Sequence, residues 1–255
     1  VYNHYHNRKG LEAPFTKQAA FKLRAGQTSR SNRSERRRQR SRSSHLDTLM
    51  YAGIAVEESV SVSSHAETSK PNIVVFLADD MGWGDSATYG HKLIQTPNLD
   101  TLASQGVKFT QCYSACGVCS PSRSAILTGR TPYRNGVYRH LSGNHEAHLR
   151  ASEITYPKLL KSVGYETCHV GKWHLNSKPQ FNDDKFPQPG DHGYDYWFAT
   201  HNNASPSHHN PDNFYRNGKP VGELKGYSAP LVAAEAVRWL SEVRDESKPF
   251  ALSIW

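Results

Sequence analysis

Two adjacent carboxylates, Asp79-Asp80, follow directly on the apolar run Ile73-Val74-Val75-Phe76-Leu77-Ala78. Neighbouring carboxylates repel one another unless a cation neutralises them, and hard oxygen donors of this kind suit Ca²⁺ or Mg²⁺. The bland reading is a pair that caps a turn ahead of Gly82 and Gly84. A second set, Gly171-Lys172-Trp173-His174, follows the strand-like stretch 166–170. It places an ammonium group and an imidazole at the sheet edge that also carries Asp79. A surface lysine and a turn histidine are the plain alternatives to a functional reading of the two.

Cys112-x3-Cys116-x2-Cys119 is the third constellation. Its spacing is that of the triplet that holds a [4Fe–4S] cluster in radical S-adenosylmethionine enzymes. Against that reading, the expected strand at 107–113 turns Cys112 away from Cys116, and no downstream glycine-rich stretch suits the nucleoside cofactor. Three such cysteines are otherwise partly buried, unreactive thiols. The residues after Cys119 add a helix start over 122–127, whose free N–H groups and dipole favour an anion.

The run Cys119-Ser120-Pro121-Ser122-Arg123-Ser124-Ala125-Ile126-Leu127-Thr128-Gly129-Arg130 resembles the sulfatase signature C-x-P-S-R-x-x-x-L-T-G-R at every fixed position. So many specified residues at fixed spacing are far more specific than a short motif. The resemblance covers residues 70–255 and includes the strand leading to Asp79-Asp80-Met81-Gly82, the Thr96-Pro97-Asn98-Leu99-Asp100 helix start and Gly171-Lys172-Trp173-His174. It does not reach residues 1–65.

The resemblance implies an alkaline-phosphatase-like α/β fold and sulfuric ester hydrolysis with Ca²⁺, Asp79 and Asp80 being metal ligands. It implies that Cys119 is converted by a separate maturation enzyme to formylglycine, which also faces the metal. One hydroxyl of the hydrated aldehyde attacks sulfur, and deprotonation of the other expels sulfate, which is covalent catalysis with a built-in release step. Arg123 then steadies the diol and the metal shell, Lys172 pairs with a sulfate oxygen, and His174 holds the diol and acts as the base. Sulfatases complete the calcium site with an Asp-Asn pair, and bring a leaving-group histidine and a second lysine, from later in their chains. The segment Gly193-Tyr194-Asp195-Tyr196-Trp197-Phe198 with Asn202-Asn203 is similar to sulfatases of the N-acetylgalactosamine-6-sulfatase and arylsulfatase A type. The substrate class implied is a sulfated sugar or aryl sulfate. Ser205 and the pair His208-His209 extend the same polar loop, which is read as contacting sugar hydroxyls in preference to a second metal. Phosphatases of the superfamily usually carry Ser or Thr where Cys119 stands.

The elements that must position these residues alternate. A strand covered on both faces is expected at 73–78, a helix from Thr96-Pro97 to Gly106 with Leu99 and Leu102-Ala103 on its apolar face, and a strand at 107–113. Next come a helix at 156–163 stopped by Gly164, a strand at 166–170, an aromatic strand at 194–198 and an amphipathic helix at 229–243. That last helix carries Val232, Ala236, Val237 and Leu240 on one side. A final strand is expected over 249–255. Such alternation argues α/β with a mostly parallel sheet flanked by helices, and an end inside a core strand leads to the expectation of a fragment, the N-terminal part of a catalytic domain over 70–255, inactive by itself.

The 255 residues are 36% hydrophobic and 21% charged, an ordinary soluble composition. The longest apolar run, 73–78, is far short of the roughly 20 residues of a membrane-spanning helix. The formal charge of +8 is uneven: residues 1–50 hold 12 Lys/Arg against 3 Asp/Glu, leaving 19 against 20 for the rest. Residues 1–65 read as a disordered Arg/Ser-rich segment. A nucleic-acid arm is the sharp reading of its arginines, but a solvated tail is preferred, so nucleic acid is not the expected partner. No signal peptide is visible, since residues 49–56 run into Glu57-Glu58; export is implied by the resemblance alone.

Overall fold

The computed structural model describes residues 70–255 except 142, 144 and 145, so the expectations for residues 1–65 lie outside the described residues. Among the described residues six strands form one sheet: β1 (Ile73–Phe76), β2 (Glu166–Lys172), β3 (Tyr196–Thr200), β4 (Tyr215–Arg216), β5 (Lys219–Pro220) and β6 (Phe250–Ile254). Their spatial order is β1-β6-β2-β3-β4-β5. The first four in that order are parallel, with Ile73 opposite Ala251, Thr167 opposite Ala251 and Cys168 opposite Tyr196. The pairings of β4 with β3 and with β5 are antiparallel. Parallel neighbours need long crossovers, which supply α1 (Pro97–Gln105), α2 (Cys119–Thr128), α3 (Pro132–Asn135), α4 (Tyr156–Ser162) and α5 (Ser228–Arg238).

Alternation along the strands splits the core between the two faces of the sheet. In β3, Trp197 and Ala199 join Leu127, Val137, Leu141, Leu149 and Trp173 on one face. Tyr196 and Phe198 join Cys168, Val170, Leu252, Ala236 and Trp239 on the other. Every β3 residue is buried, as a central strand of a two-faced parallel sheet requires. Helix α5 packs Ala236 inward and runs on into a π-helical turn, Trp239–Val243, which buries Trp239 completely.

Four expectations need correction. Strand β1 is an edge strand with half-buried Ile73 and Val75 but exposed Val74 and Phe76, so it is covered on one face only among the described residues. Residues 107–113 form no strand. Their β-branched and aromatic side chains find no ladder partner there, Val107 and Tyr113 are exposed, and the segment is held by side chains instead: Tyr89 OH donates to the Phe109 carbonyl and Lys108 Nζ to the Thr88 carbonyl. Helix α1 forms as expected, yet it buries none of its residues, Leu99 and Leu102 included. Val237 points outward at 63% exposure while Trp239 takes the inward position, because at the α-helical period Trp239 follows Val232 and Ala236 at i+7 and i+3, whereas Val237 is turned about 100° from Ala236.

Candidate functional site

Open parallel sheets gather ligands beyond the carboxyl ends of their strands, and here that edge collects Asp79 after β1, Lys172 at the end of β2 and Trp255 after β6. The strand ends are knit together: Leu77 N–H donates to the Ile254 carbonyl at 2.9 Å, and Lys172 N–H to the Trp255 carbonyl at 2.9 Å. Gly171 sits at φ +109°, and a Cβ on it would lie 1.9 Å from the Trp255 carbonyl oxygen. Only glycine lets β2 run this close to the end of β6.

Helix α2 begins at Cys119 itself, three residues earlier than the sequence suggests, with Val118 as an N-cap that offers no side-chain bond. The first-turn N–H groups and the positive end of the helix dipole therefore face whatever lies beside residue 119. One turn on, Arg123 is 1% exposed, and its Nη2 donates to Asp79 Oδ1 at 2.6 Å and its Nη1 to the Lys172 carbonyl at 3.3 Å. Lys172 Nζ donates to Asp79 Oδ2 at 2.9 Å and to Asn203 Oδ1 at 3.1 Å. Burial alone would raise the Asp79 carboxyl, but Arg123 and Lys172 outweigh it and hold the group below the ordinary carboxylate range.

His174 is fully buried in the left-handed conformation at φ 56°, a conformation that bulky side chains adopt only when their surroundings impose it. Its backbone N–H donates to the His201 carbonyl at 2.7 Å. Its Nε2 bonds the Leu141 carbonyl at 3.0 Å, while Leu141 N–H is held by Ser120 Oγ at 3.2 Å. The proton is thereby assigned to Nε2, and the buried Nδ1, which has no protein partner, keeps a lone pair. Burial, followed by the positive Lys172 and the neighbouring His140 and His201, pushes His174 down to about 2, so the imidazole is neutral.

Ligand-type atoms of Cys119, His140 and His174 all lie within 4.8 Å of one another. The His140 and His174 rings meet edge to face with centroids 4.5 Å apart. His140 carried no signal in the sequence: it follows α3 with no motif around it, and only the fold brings it to Cys119. Cys112 and Cys116 do not join Cys119 in such a group among the described residues, which removes the geometric basis for a three-cysteine iron–sulfur site. Asp79 and Asp80 do not join it either; Asp79 is linked to α2 through Arg123.

The fit of the aspartates to calcium can be tested on their chemistry. Asp80 is exposed, with φ 55°, and together the pair offers up to four hard carboxylate oxygens of the six to eight that Ca²⁺ takes. The donor type fits; the described residues supply part of the shell.

Arg130, just past α2, pairs with the nearly buried Glu153 at 2.7 Å and stays outside this centre, as does the Arg150–Glu153 pair. In the polar loop after β3, Asn203 reaches Lys172 as described above. His208 and His209 make other contacts, Nδ1 of His208 to Ser228 Oγ at 2.8 Å and the His209 ring against Tyr227, and belong to no metal-capable cluster among the described residues.

Taken together, a mostly parallel sheet of alkaline-phosphatase-like type gathers at one edge a helix N-terminus, a lysine, a buried arginine and a neutral imidazole. The sulfatase family model matches residues 71–255, and the chain belongs to the sulfatase family. It is 36% identical over 187 residues to N-acetylglucosamine-6-O-sulfatase of Bacteroides thetaiotaomicron, covering 73% of this chain and 30% of that protein. It is 44% identical over 160 residues to human N-acetylgalactosamine-6-sulfatase, covering 59% and 29%. Among solved structures it is similar to a protein in complex with its substrate D-glucosamine-2-N,6-O-disulfate, with a TM-score of 0.60, 33% identity, and coverage of 73% of this chain and 34% of that one. The chain thus spans about a third or less of the length of these relatives. No helix among the described residues is long and apolar enough to cross a membrane.

Proposed function

We propose that this chain carries the nucleophile half of a sulfatase centre that hydrolyses sulfate esters of carbohydrates, with Cys119 as the precursor of formylglycine and Asp79 and Asp80 as ligands of Ca²⁺. The observation that carries the reading is the placement of Cys119 at the first residue of α2, against His174, with Arg123 one turn on and tied to Asp79. The hydrated aldehyde supplies an oxygen that takes sulfate from its ester and a second hydroxyl whose deprotonation releases it, and Ca²⁺ supplies positive charge to the sulfate oxygens.

The chain's own residues do the rest. The first-turn N–H groups of α2 and Lys172 Nζ bind the anion, which displaces Asp79 as the lysine's principal partner. Arg123 fixes Asp79 against α2 and, being buried, offers preorganised charge that needs no rearrangement during reaction. His174, whose ligand-type nitrogen lies within 4.8 Å of the Cys119 sulfur, takes the proton that release requires, and an anion beside Lys172 offsets the lysine charge that, after burial, keeps the imidazole neutral. Asn203 keeps Lys172 aimed along the sheet edge. A sulfated sugar as substrate is supported by the names of the relatives and by the sulfated glucosamine bound in the similar complex. Export from the cytoplasm is part of the same proposal and rests on the family resemblance.

The test is co-expression with a formylglycine-generating enzyme and mass spectrometry of the peptide containing residue 119. The expected product carries an aldehyde or its hydrate in place of the thiol. Unmodified Cys119 under those conditions removes the mechanism.

A further inference from the structure

Calcium and the two aspartates explain one cation, yet Cys119, His140 and His174 form a second group of quite different donor chemistry. Their ligand atoms lie within 4.8 Å of one another. Thiolate and imidazole donors select zinc and related borderline ions over calcium or magnesium. A tetrahedral zinc ion with Zn–S of about 2.3 Å and Zn–N of about 2.0 Å separates such donors by roughly 3.3–3.5 Å, so from a spread of up to 4.8 Å the three need to close by up to about 1.5 Å.

Two further observations point to a ligand at this place. His174 is fully buried and its Nδ1 has no protein partner, an orphan acceptor that a metal satisfies. Its Nε2 bonds the Leu141 carbonyl at 3.0 Å, which is the outer-shell arrangement that fixes the tautomer and aims the other nitrogen of metal-binding histidines. Leu141 is itself anchored through Ser120, on the same helix as Cys119. The imidazole is thus held in place before any ion arrives. Cys119 and His140 are half-buried while His174 is buried, so an ion arriving from solvent can reach the group.

We propose that the unconverted, thiol form of this protein binds one zinc ion through Cys119 Sγ, His174 Nδ1 and an imidazole nitrogen of His140. Binding transfers the thiol proton to solvent and forms a Zn–S bond; no electrons change hands. The ion blocks the first turn of α2, and conversion of residue 119, which removes the sulfur, abolishes the site. The inference needs only the encoded cysteine and stands apart from whether conversion occurs.

Two measurements on the 255-residue chain with residue 119 confirmed as cysteine by mass test it. In the first, Co²⁺ is titrated anaerobically as a spectroscopic probe. One equivalent should give a thiolate-to-cobalt charge-transfer band, lost in Cys119→Ser, retained in Cys112→Ser and Cys116→Ser, and needing at least tenfold more Co²⁺ in His140→Ala. In the second, which requires no variant, iodoacetamide labelling is mapped by peptide mass spectrometry with and without Zn²⁺. Zinc should slow alkylation of Cys119 at least tenfold and leave Cys112 and Cys116 unchanged, while Ca²⁺ protects none of them. Equal Cys119 labelling with and without Zn²⁺, or a cobalt band that survives Cys119→Ser, overturns the proposal.

Discussion

Arg123 Nη2 lies 2.6 Å from Asp79 Oδ1, and this one bond ties helix α2 to the end of the edge strand β1. The guanidinium also reaches the Lys172 carbonyl and lies 5.7 Å from the Trp255 ring, so three strand ends and a helix meet at a single buried cation.

Replacing Arg123 with lysine keeps a charge but not the planar fork that spans Asp79 and the Lys172 carbonyl. Arg123→Lys should therefore lower stability by about 1–3 kcal/mol, less than the roughly 3–5 kcal/mol for a fully buried broken pair, since Asp79 is 34% exposed. Urea denaturation measures this. A change below about 0.5 kcal/mol would show that the bond positions nothing.

Lys172 and His174 separate two roles in an active sulfatase carrying this chain. Lys172→Ala removes an anion contact and should raise KM as well as lower kcat. His174→Ala removes proton transfer and should lower kcat by about 10² to 10⁴ with little change in KM. Steady-state kinetics on a sulfated sugar distinguishes them; identical KM and kcat effects would mean that His174 only supports the loop.

Much of this arrangement was legible in the sequence, and the gaps have physical causes. The signature around Cys119 and the Gly171–His174 motif name their residues because a match at fixed side-chain types is read directly from the chain. Strands β2, β3 and β6 announce themselves as β-branched and aromatic runs. Residues 107–113 read equally well as a strand, but a strand is a pairing, and local composition does not say whether a neighbour is present. The β4–β5 hairpin was missed although its signal is present: Asn217-Gly218 adopts φ 47° and 82°, the positive-φ pair of a tight hairpin turn. His140 had no such signal. Its place beside Cys119 depends on how the segment after α3 crosses the edge of the sheet, which no spacing rule encodes.

The close approach of β2 to the end of β6 gives a prediction about the fold alone. Gly171→Ala combines a side chain at φ +109° with a backbone contact of 1.9 Å, and neither can relax without moving Trp255. The strained conformation alone costs on the order of 1–3 kcal/mol, and the clash adds to it. Thermal unfolding should show a loss of at least about 3 kcal/mol or no cooperative transition at all.

On the opposite face of the sheet, Glu235 is 7% exposed and accepts a bidentate pair from Arg216 at 2.8 and 2.9 Å, together with bonds from Arg238 and the Tyr196 hydroxyl. Burial alone would raise this carboxyl, but those donors bring it down to about 2 from an ordinary value of 4.5. A carboxyl depressed in the folded state binds fewer protons there than in the unfolded chain between these two values. Its stabilisation is therefore complete above about pH 4.5 and is lost as the pH falls toward 2. Glu235→Gln removes the titration. The variant should be less stable by about 1–3 kcal/mol at pH 7, below the range for fully buried pairs because Arg216 and Arg238 are more than a third exposed. The difference between the two proteins should shrink as the pH is lowered from 4.5 to 2. Denaturation curves at pH 7, 4 and 3 decide it: a difference that stays constant over that range would mean that Glu235 contributes by packing and not through its charge.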